Sequence, residues 1–123
     1  MDTIAQVDAF FAGRPGQWAL FEALSRALIV RYPGTQVRVM KTCIAFEDQK
    51  PYCYVSFPPK SLARDRGEHP IQVSISLSER MEHSRFAMVV PISKRRFTVH
   101  IVLGGQEEID GELLSLIELS RQR

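Results

Sequence analysis

Two stretches of strict alternation between apolar and polar residues constrain the fold of this chain most strongly. In KRRFTVHIVLGG, residues 94–105, every second residue is apolar: Phe97, Val99, Ile101 and Leu103. In IQVSISL, residues 71–77, the same holds for Ile71, Val73, Ile75 and Leu77. A period of two is typical of a strand with one buried face. These stretches therefore predict a sheet that buries one face and leaves the other to polar residues.

Helical patterns precede and follow this region. Thr3 and Gln6 form a capping-box pattern, which predicts a first helix that ends before Pro15. Apolar residues at helical spacing predict a second helix from about residue 17 to residue 32. Asp110 is the predicted N-cap of a last helix, because an apolar face follows it.

Two segments of the strand region are less regular. VRVMKTCIAFE, residues 37–47, changes register, which predicts a bulge or a break near Lys41. RFAMVVPI, residues 85–92, is ambiguous between helix and strand, and we interpret it as a strand that forms a hairpin, through SKR, with the alternating stretch KRRFTVHIVLGG. The predicted fold is α+β, with one domain over residues 1–123. An antiparallel sheet carries two N-terminal helices and one C-terminal helix on one face.

Composition excludes several classes of protein. The 16 basic and 14 acidic residues leave a net charge of +2, without the concentrated basic excess of a typical nucleic-acid-binding domain. No apolar run reaches the roughly 18 residues that a membrane span needs, and the first residues do not form a secretory signal. With Cys43 and Cys53 alone there is no disulfide framework. We expect a cytoplasmic protein with no membrane partner.

The predicted polar face of the sheet holds the candidate binding residues. Tyrosines that alternate with cationic residues on such a face can stack on planar groups and pair with anions. A face of this kind is also the normal solvated side of an antiparallel sheet. The candidate ligand-binding residues are Lys41, Tyr52, Tyr54, Arg96, Thr98 and His100, accompanied by Ser56, Gln72, Ser74 and Ser76.

His100 is the most notable member of this set. We expect Arg96, on the same strand, to bias the imidazole toward its neutral form. The sequence provides no recognisable nucleophile or acidic partner for it, so we predict no catalytic residue. The spacing of His69 and His83 does not suit metal ligation, and we predict neither a metal nor another cofactor.

The C-terminal segment RRFTVHIVLGGQEEIDGELLSLIELS resembles the end of a mostly bacterial family, domain of unknown function 5655. The residues that match its pattern are Arg96, Phe97, Thr98, His100, Ile109, Asp110 and Leu113. The chain departs from the family at Val99, where a second histidine is common, and in a longer loop around ARDRGEHP, residues 63–70. The family has no established activity, so the resemblance implies an accessory or binding module.

Three functional hypotheses follow from these observations. The first is a non-catalytic binding or interaction module that forms homo-oligomers through its exposed sheet face or an edge strand. The second is a nucleic-acid accessory domain that uses Tyr52, Tyr54, Arg96 and His100. The third is a small hydrolase or lyase in which His100 is the base and Lys41 or Arg96 holds an anion.

Overall fold

The computed structural model describes residues 2–123, which form one six-stranded sheet and four α-helices. In chain order the elements are α1 (Thr3–Phe10), α2 (Pro15–Arg31), β1 (Gln36–Val39), β2 (Ile44–Asp48), β3 (Lys50–Ser56), α3 (Lys60–Ala63), β4 (Ile71–Leu77), β5 (Met88–Ser93), β6 (Arg96–Leu103), a 3₁₀ turn (Gln106–Glu108) and α4 (Gly111–Gln122). The predicted α+β class is confirmed.

The strand order is β1-β2-β3-β4-β6-β5, and all neighbours are antiparallel. The apolar residues of the alternating strands form one buried cluster with apolar residues of α1, α2 and α4. The helices therefore cover one face of the sheet, as the alternation predicted. Members of this cluster include Val7, Leu24, Ile44, Val55, Val73, Ile101, Leu113 and Ile117.

The helix ends follow the predictions with two corrections. The N-cap of α1 is Asp2, whose carboxylate accepts from the N–H of Ala5 at 2.8 Å, so the capping box at Thr3 was wrong. The second helix begins at Pro15, two residues earlier than predicted. Proline is compatible with the first helical position, because its φ is already helical and the N–H that it lacks would have no partner within the helix. Asp110 is the N-cap of α4 as predicted, and it accepts from the N–H of Leu113 at 2.9 Å.

The register change near Lys41 is a hairpin turn. β1 and β2 pair from Gln36↔Glu47 to Val39↔Ile44, and Lys41 lies in the exposed turn between them. The predicted break is therefore confirmed, and it moves Lys41 off the sheet.

The hairpin of β2 and β3 contains an irregularity that the sequence did not reveal. Phe46 pairs with Cys53, whereas the next residue, Glu47, pairs with Pro51, so Tyr52 is the extra residue of a β-bulge. Because of the bulge, Tyr52 does not alternate with Cys53, and both side chains lie in the cluster on the helical side.

Residues 88–92 of the ambiguous segment belong to β5, which forms a hairpin with β6 as predicted. The long loop between β3 and β4 holds the short helix α3 and passes close to the end of β6. A Cβ at Gly104 would collide with the carbonyl oxygen of Arg66, so a glycine is needed there for the close approach. Cys43 and Cys53 are free thiols, and no helix within residues 2–123 is long and apolar enough to cross a membrane.

Candidate binding face of the sheet

The side of the sheet that faces away from the helices carries the candidate binding residues, and we call it the open face. Strand alternation and the observed register assign its members. They are Gln36, Arg38, Ala45, Glu47, Tyr54, Ser56, Gln72, Ser74, Ser76, Met88, Val90, Arg96, Thr98, His100 and Val102.

One row of directly paired residues crosses all six strands of the open face. It runs Arg38, Ala45, Tyr54, Ser74, His100, Met88, from β1 to β5. Within the row, Ser74 Oγ lies 2.7 Å from His100 Nδ1, a hydrogen bond between paired strands. This contact fixes the plane of the imidazole and leaves Nε2 as its second polar atom.

The imidazole of His100 is biased toward its neutral form. Burial lowers its pKa below the ordinary 6.5, because desolvation disfavours the charged ring. The pKa shift has the direction expected from the sequence, but it is caused by burial and not by the charge of Arg96. Arg96 lies four residues away along the same strand, about 13 Å at the usual rise per residue.

Gln72 is the most buried polar side chain of the open face, with 8% of its surface exposed. Its Nε2 lies 3.4 Å from Ser56 Oγ, a long hydrogen bond. Its Oε1 is buried and has no hydrogen-bond partner within the described residues. An unpaired buried acceptor costs free energy, so a donor from a binding partner would stabilise this site.

Full charges are confined to the margins of the open face. Arg38, on the edge strand β1, and Glu47, near the end of the adjoining β2, pair with each other at 2.6 Å. Arg96 is exposed and is the first residue of β6. Between these margins the face presents hydroxyl, apolar, phenol and neutral imidazole groups, whereas Ala45, Gln72 and Val102 are buried. The residues that it presents are Tyr54, Ser56, Ser74, Ser76, Met88, Val90, Thr98 and His100.

Two of the six candidate residues lie elsewhere. Tyr52 is 2% exposed, contacts Tyr32 edge to face, and its hydroxyl lies 2.8 Å from Thr35 Oγ1. Burial raises the pKa of Tyr52 to about 12. Lys41 lies in the turn beside β1, four strand spacings or about 19 Å from β6. The expectation that both belong to the polar face was wrong, because the bulge and the turn change the parity of these segments.

The other four candidates are on the open face, and the structure adds one that sequence reasoning missed. Tyr54 and His100 share the row that crosses all six strands, and Thr98 pairs with Ser76 one row away. Met88 completes the row with 45% of its surface exposed. The alternation of MVVPIS was the only signal for Met88, and it is too short to separate a strand from a helix.

The described residues contain no group of three or more histidine, cysteine or acidic side chains that could hold a metal ion. His69 lies against the first turn of α2 at Gly16, and His83 lies 3.7 Å from Glu112 near the start of α4. The two are therefore parts of separate loop contacts.

A family model described as a domain of unknown function (DUF5655) matches residues 7–120, which include every strand and all of the open face. No curated protein matches the chain. No solved structure matches it either.

Proposed function

The chain belongs to the DUF5655 family, and from that premise we propose that it is a non-catalytic binding module that self-associates through its open face. Two copies would stack face to face about a two-fold axis, each burying the same residues. We also propose a cytoplasmic location, where Cys43 and Cys53 would remain reduced.

The absence of full charge from the centre of the open face is the observation that carries this proposal. Solvated sheet faces are normally rich in lysine and glutamate, whereas the centres of protein interfaces are depleted of charge and enriched in tyrosine and methionine. Tyr54 lies on β3 at the centre of this face, the uncharged Met88 lies on the edge strand β5, and Arg38, Glu47 and Arg96 lie at the margins. This arrangement resembles an interface with an uncharged core and a polar rim.

The size of the face also supports the proposal. Six strands spaced about 4.8 Å apart and about six residues long cover roughly 600 Å². Two such faces would bury about 1,200 Å² in total, the lower limit for a specific and stable interface. Sheets stack readily at a separation of about 10 Å when their facing side chains are short, as serine and threonine are.

Unsatisfied hydrogen-bonding groups supply a reason for specificity. Gln72 Oε1 lacks a donor within the described residues, and His100 has a second ring nitrogen beyond its bond to Ser74. Hydroxyl groups of a second copy would satisfy such atoms, and a poorly aligned partner would leave them buried and unpaired. Gln72 and His100 would therefore favour one alignment of the two copies over others.

The two alternatives have less support. A nucleic-acid site needs cations along its length, whereas Arg38 is paired with Glu47 and Arg96 lies at one end of the face. A hydrolase needs a carboxylate or comparable group to orient its histidine, and the hydrogen-bond partner of His100 within residues 2–123 is Ser74.

The experiment is light scattering after size-exclusion chromatography, with wild type and Thr98→Arg compared over a range of loading concentrations. Thr98 is half-buried on β6, between Ser76 and Val90 of the neighbouring strands, so an arginine buried there without a partner would oppose dimerisation. Wild type is expected to approach the mass of two chains as concentration rises, and Thr98→Arg to remain at one.

The matched control is Ser115→Arg, an exposed position on α4, which should behave as wild type. A wild type that stays at the mass of one chain at millimolar concentration would contradict the proposal. So would a Thr98→Arg variant that dimerises as well as wild type.

A further inference from the structure

We propose that the free edge of β1 and the adjoining cleft bind an extended segment of a partner protein, which carries apolar side chains flanked by lysine or arginine and adds to the sheet as a seventh strand. This surface lies on the helical side of β1 and does not depend on the open face. The proposal rests on the backbone of β1, the shape of the cleft and the charge of its rim.

The backbone of β1 presents unpaired hydrogen-bonding groups along its outer edge. The N–H of Met40 donates to the carbonyl of Cys43 at 2.8 Å, in the same register as the pairs Arg38↔Ala45 and Gln36↔Glu47. Because ladder bonds alternate, the N–H and C=O groups of Val37 and Val39 point away from β2. An extended peptide would bond to these groups in the usual manner of strand addition.

A cleft of about 300 Å³ lies directly beneath this edge, between α1, α2 and β1. Its apolar lining includes Val37, whose side chain points to the helical side of the sheet. Ile4 and Trp18 line its mouth and are 77% and 38% exposed. Alternate side chains of an added strand would project to the same side as Val37, which brings one of them into the cleft.

The charge on the cleft indicates the chemistry of its partner. Asp8 and Glu22 both line it. Arg26 contacts Glu22 at a distance of 3.8 Å and is the only cation within 4 Å of either carboxylate in the described part of the chain. The local charge therefore favours a segment with basic residues beside its apolar ones.

The opposite edge of the sheet is different. β5 contains Pro91, which has no N–H to donate and opposes strand addition. β1 contains neither proline nor lysine, and its one cation, Arg38, is held by Glu47 on the open face. The contrast marks β1 as the edge that is open to pairing.

Trp18 provides a direct assay, because it is the only tryptophan of the chain and lines the cleft. The probe is the peptide KSVTLTVSK, whose apolar residues share one side of a strand with its two lysines. Its control is ESVTLTVSE. The lysine peptide is expected to saturate a change in Trp18 fluorescence and to bind at least tenfold more tightly than the glutamate peptide.

Two variants test the mode of binding. Val37→Pro removes the N–H of Val37, which points away from β2 and makes no hydrogen bond to it. Asp8→Lys reverses the charge of one acidic residue that lines the cleft. Each should weaken binding of the lysine peptide at least tenfold, while Glu79→Lys, in an exposed loop, changes it less than twofold. Circular dichroism reports whether each variant folds, and Asp8→Lys remains informative if Val37→Pro does not.

Three results would overturn the proposal. The first is no fluorescence change at millimolar lysine peptide. The second is equal binding of the lysine and glutamate peptides by wild type. A folded Val37→Pro or Asp8→Lys variant that binds the lysine peptide as tightly as wild type would count equally against it. The third is a Trp18 signal that depends on protein concentration alone and disappears in Val37→Pro, because the occupant would then be a second copy of the chain.

Discussion

Ser120 joins α4 to the sheet through a single buried hydroxyl group. The β3–β4 ladder runs as far as Tyr54↔Ser74, and two residues further in that register Tyr52 would lie opposite Ser76. At that point the Ser120 hydroxyl donates to the carbonyl of Tyr52 at 2.7 Å and accepts from the N–H of Ser76 at 3.0 Å. One side chain thus satisfies two backbone groups where the bulge opens the sheet.

Ser120→Ala should lower the free energy of unfolding by about 1–3 kcal/mol, because it leaves a buried donor and a buried acceptor unpaired. Urea denaturation monitored by circular dichroism measures the change. Ser115→Ala, on the exposed side of the same helix, is the control and should change stability by less than about 0.5 kcal/mol. Equal stability of wild type and Ser120→Ala would show that water replaces the hydroxyl without cost.

His100 should make the stability of the protein depend on pH. Its pKa in the folded state lies below the ordinary 6.5, so the unfolded chain binds more protons between those two values. Stability should therefore rise with pH through this window, be complete above about 6.5 and fall as the pH falls. Urea midpoints at several pH values measure the slope.

His100→Gln is the matched variant for this measurement, because it keeps a polar side chain that can bond to Ser74. The variant should lose the part of the slope that belongs to His100, while contributions from other groups remain. Identical slopes in wild type and variant would show that His100 titrates alike in the folded and unfolded chains.

At the scale of whole elements, the strands with complete alternation were readable from the sequence and the irregular ones were not. The segments now seen as β4 and β6 were predicted to within two residues at each end, because each keeps one apolar parity throughout. The bulge at Tyr52 depends on how β3 meets β2 and α4, which no local pattern encodes. For that reason Tyr52 was assigned to the wrong face, while Tyr54 and His100 were assigned correctly.

The loop between β4 and β5 is attached to α4 through Arg85. Its guanidinium donates to Asp110 Oδ1 at 2.7 Å, to the carbonyl oxygen of Glu108 at 2.6 Å and to Glu112 Oε1 at 3.4 Å. Bonds from the backbone N–H of Leu113 and from Arg85 both hold the pKa of Asp110 below its usual value. The carboxylate therefore serves as a helix cap and as an anchor for the loop.

Arg85→Ala should release this loop without unfolding the sheet. Amide hydrogen exchange in residues 78–87 is expected to become about tenfold faster or more, because charged hydrogen bonds hold the loop closed. Exchange in β4 and β6 should change little. Arg80→Ala, in an exposed part of the same loop, is the control, and equal exchange in the two variants would contradict the role of Arg85.

At the scale of the whole molecule, the sequence predicted that one face of the sheet is covered by helices and that β5 and β6 form a hairpin, but not the order of the strands across the sheet. The order β1-β2-β3-β4-β6-β5 places β6 between β4 and β5, so His100 pairs with Ser74 rather than lying at an edge. It also separates Lys41 from His100 by most of the width of the sheet. Strand order arises from contacts distant in sequence, and alternation within a strand carries no information about them.

The charge distribution of the open face is likewise a property of the assembled sheet. Arg38, Glu47 and Arg96 come from three strands, and only the strand order shows that they surround an uncharged centre. Our central claim is that this centre is covered by a second copy of the chain. The claim predicts which side chains become protected when the protein associates.

Hydroxyl-radical footprinting with mass spectrometry, at concentrations below and above association, tests this claim most directly. Met88 and Tyr54 should be oxidised several-fold more slowly in the associated protein than in dilute wild type or in Thr98→Arg. Trp18, on the helical side, should be oxidised equally in all samples. Unchanged oxidation of Met88 and Tyr54 in a protein that demonstrably associates would place the interface elsewhere and contradict the account.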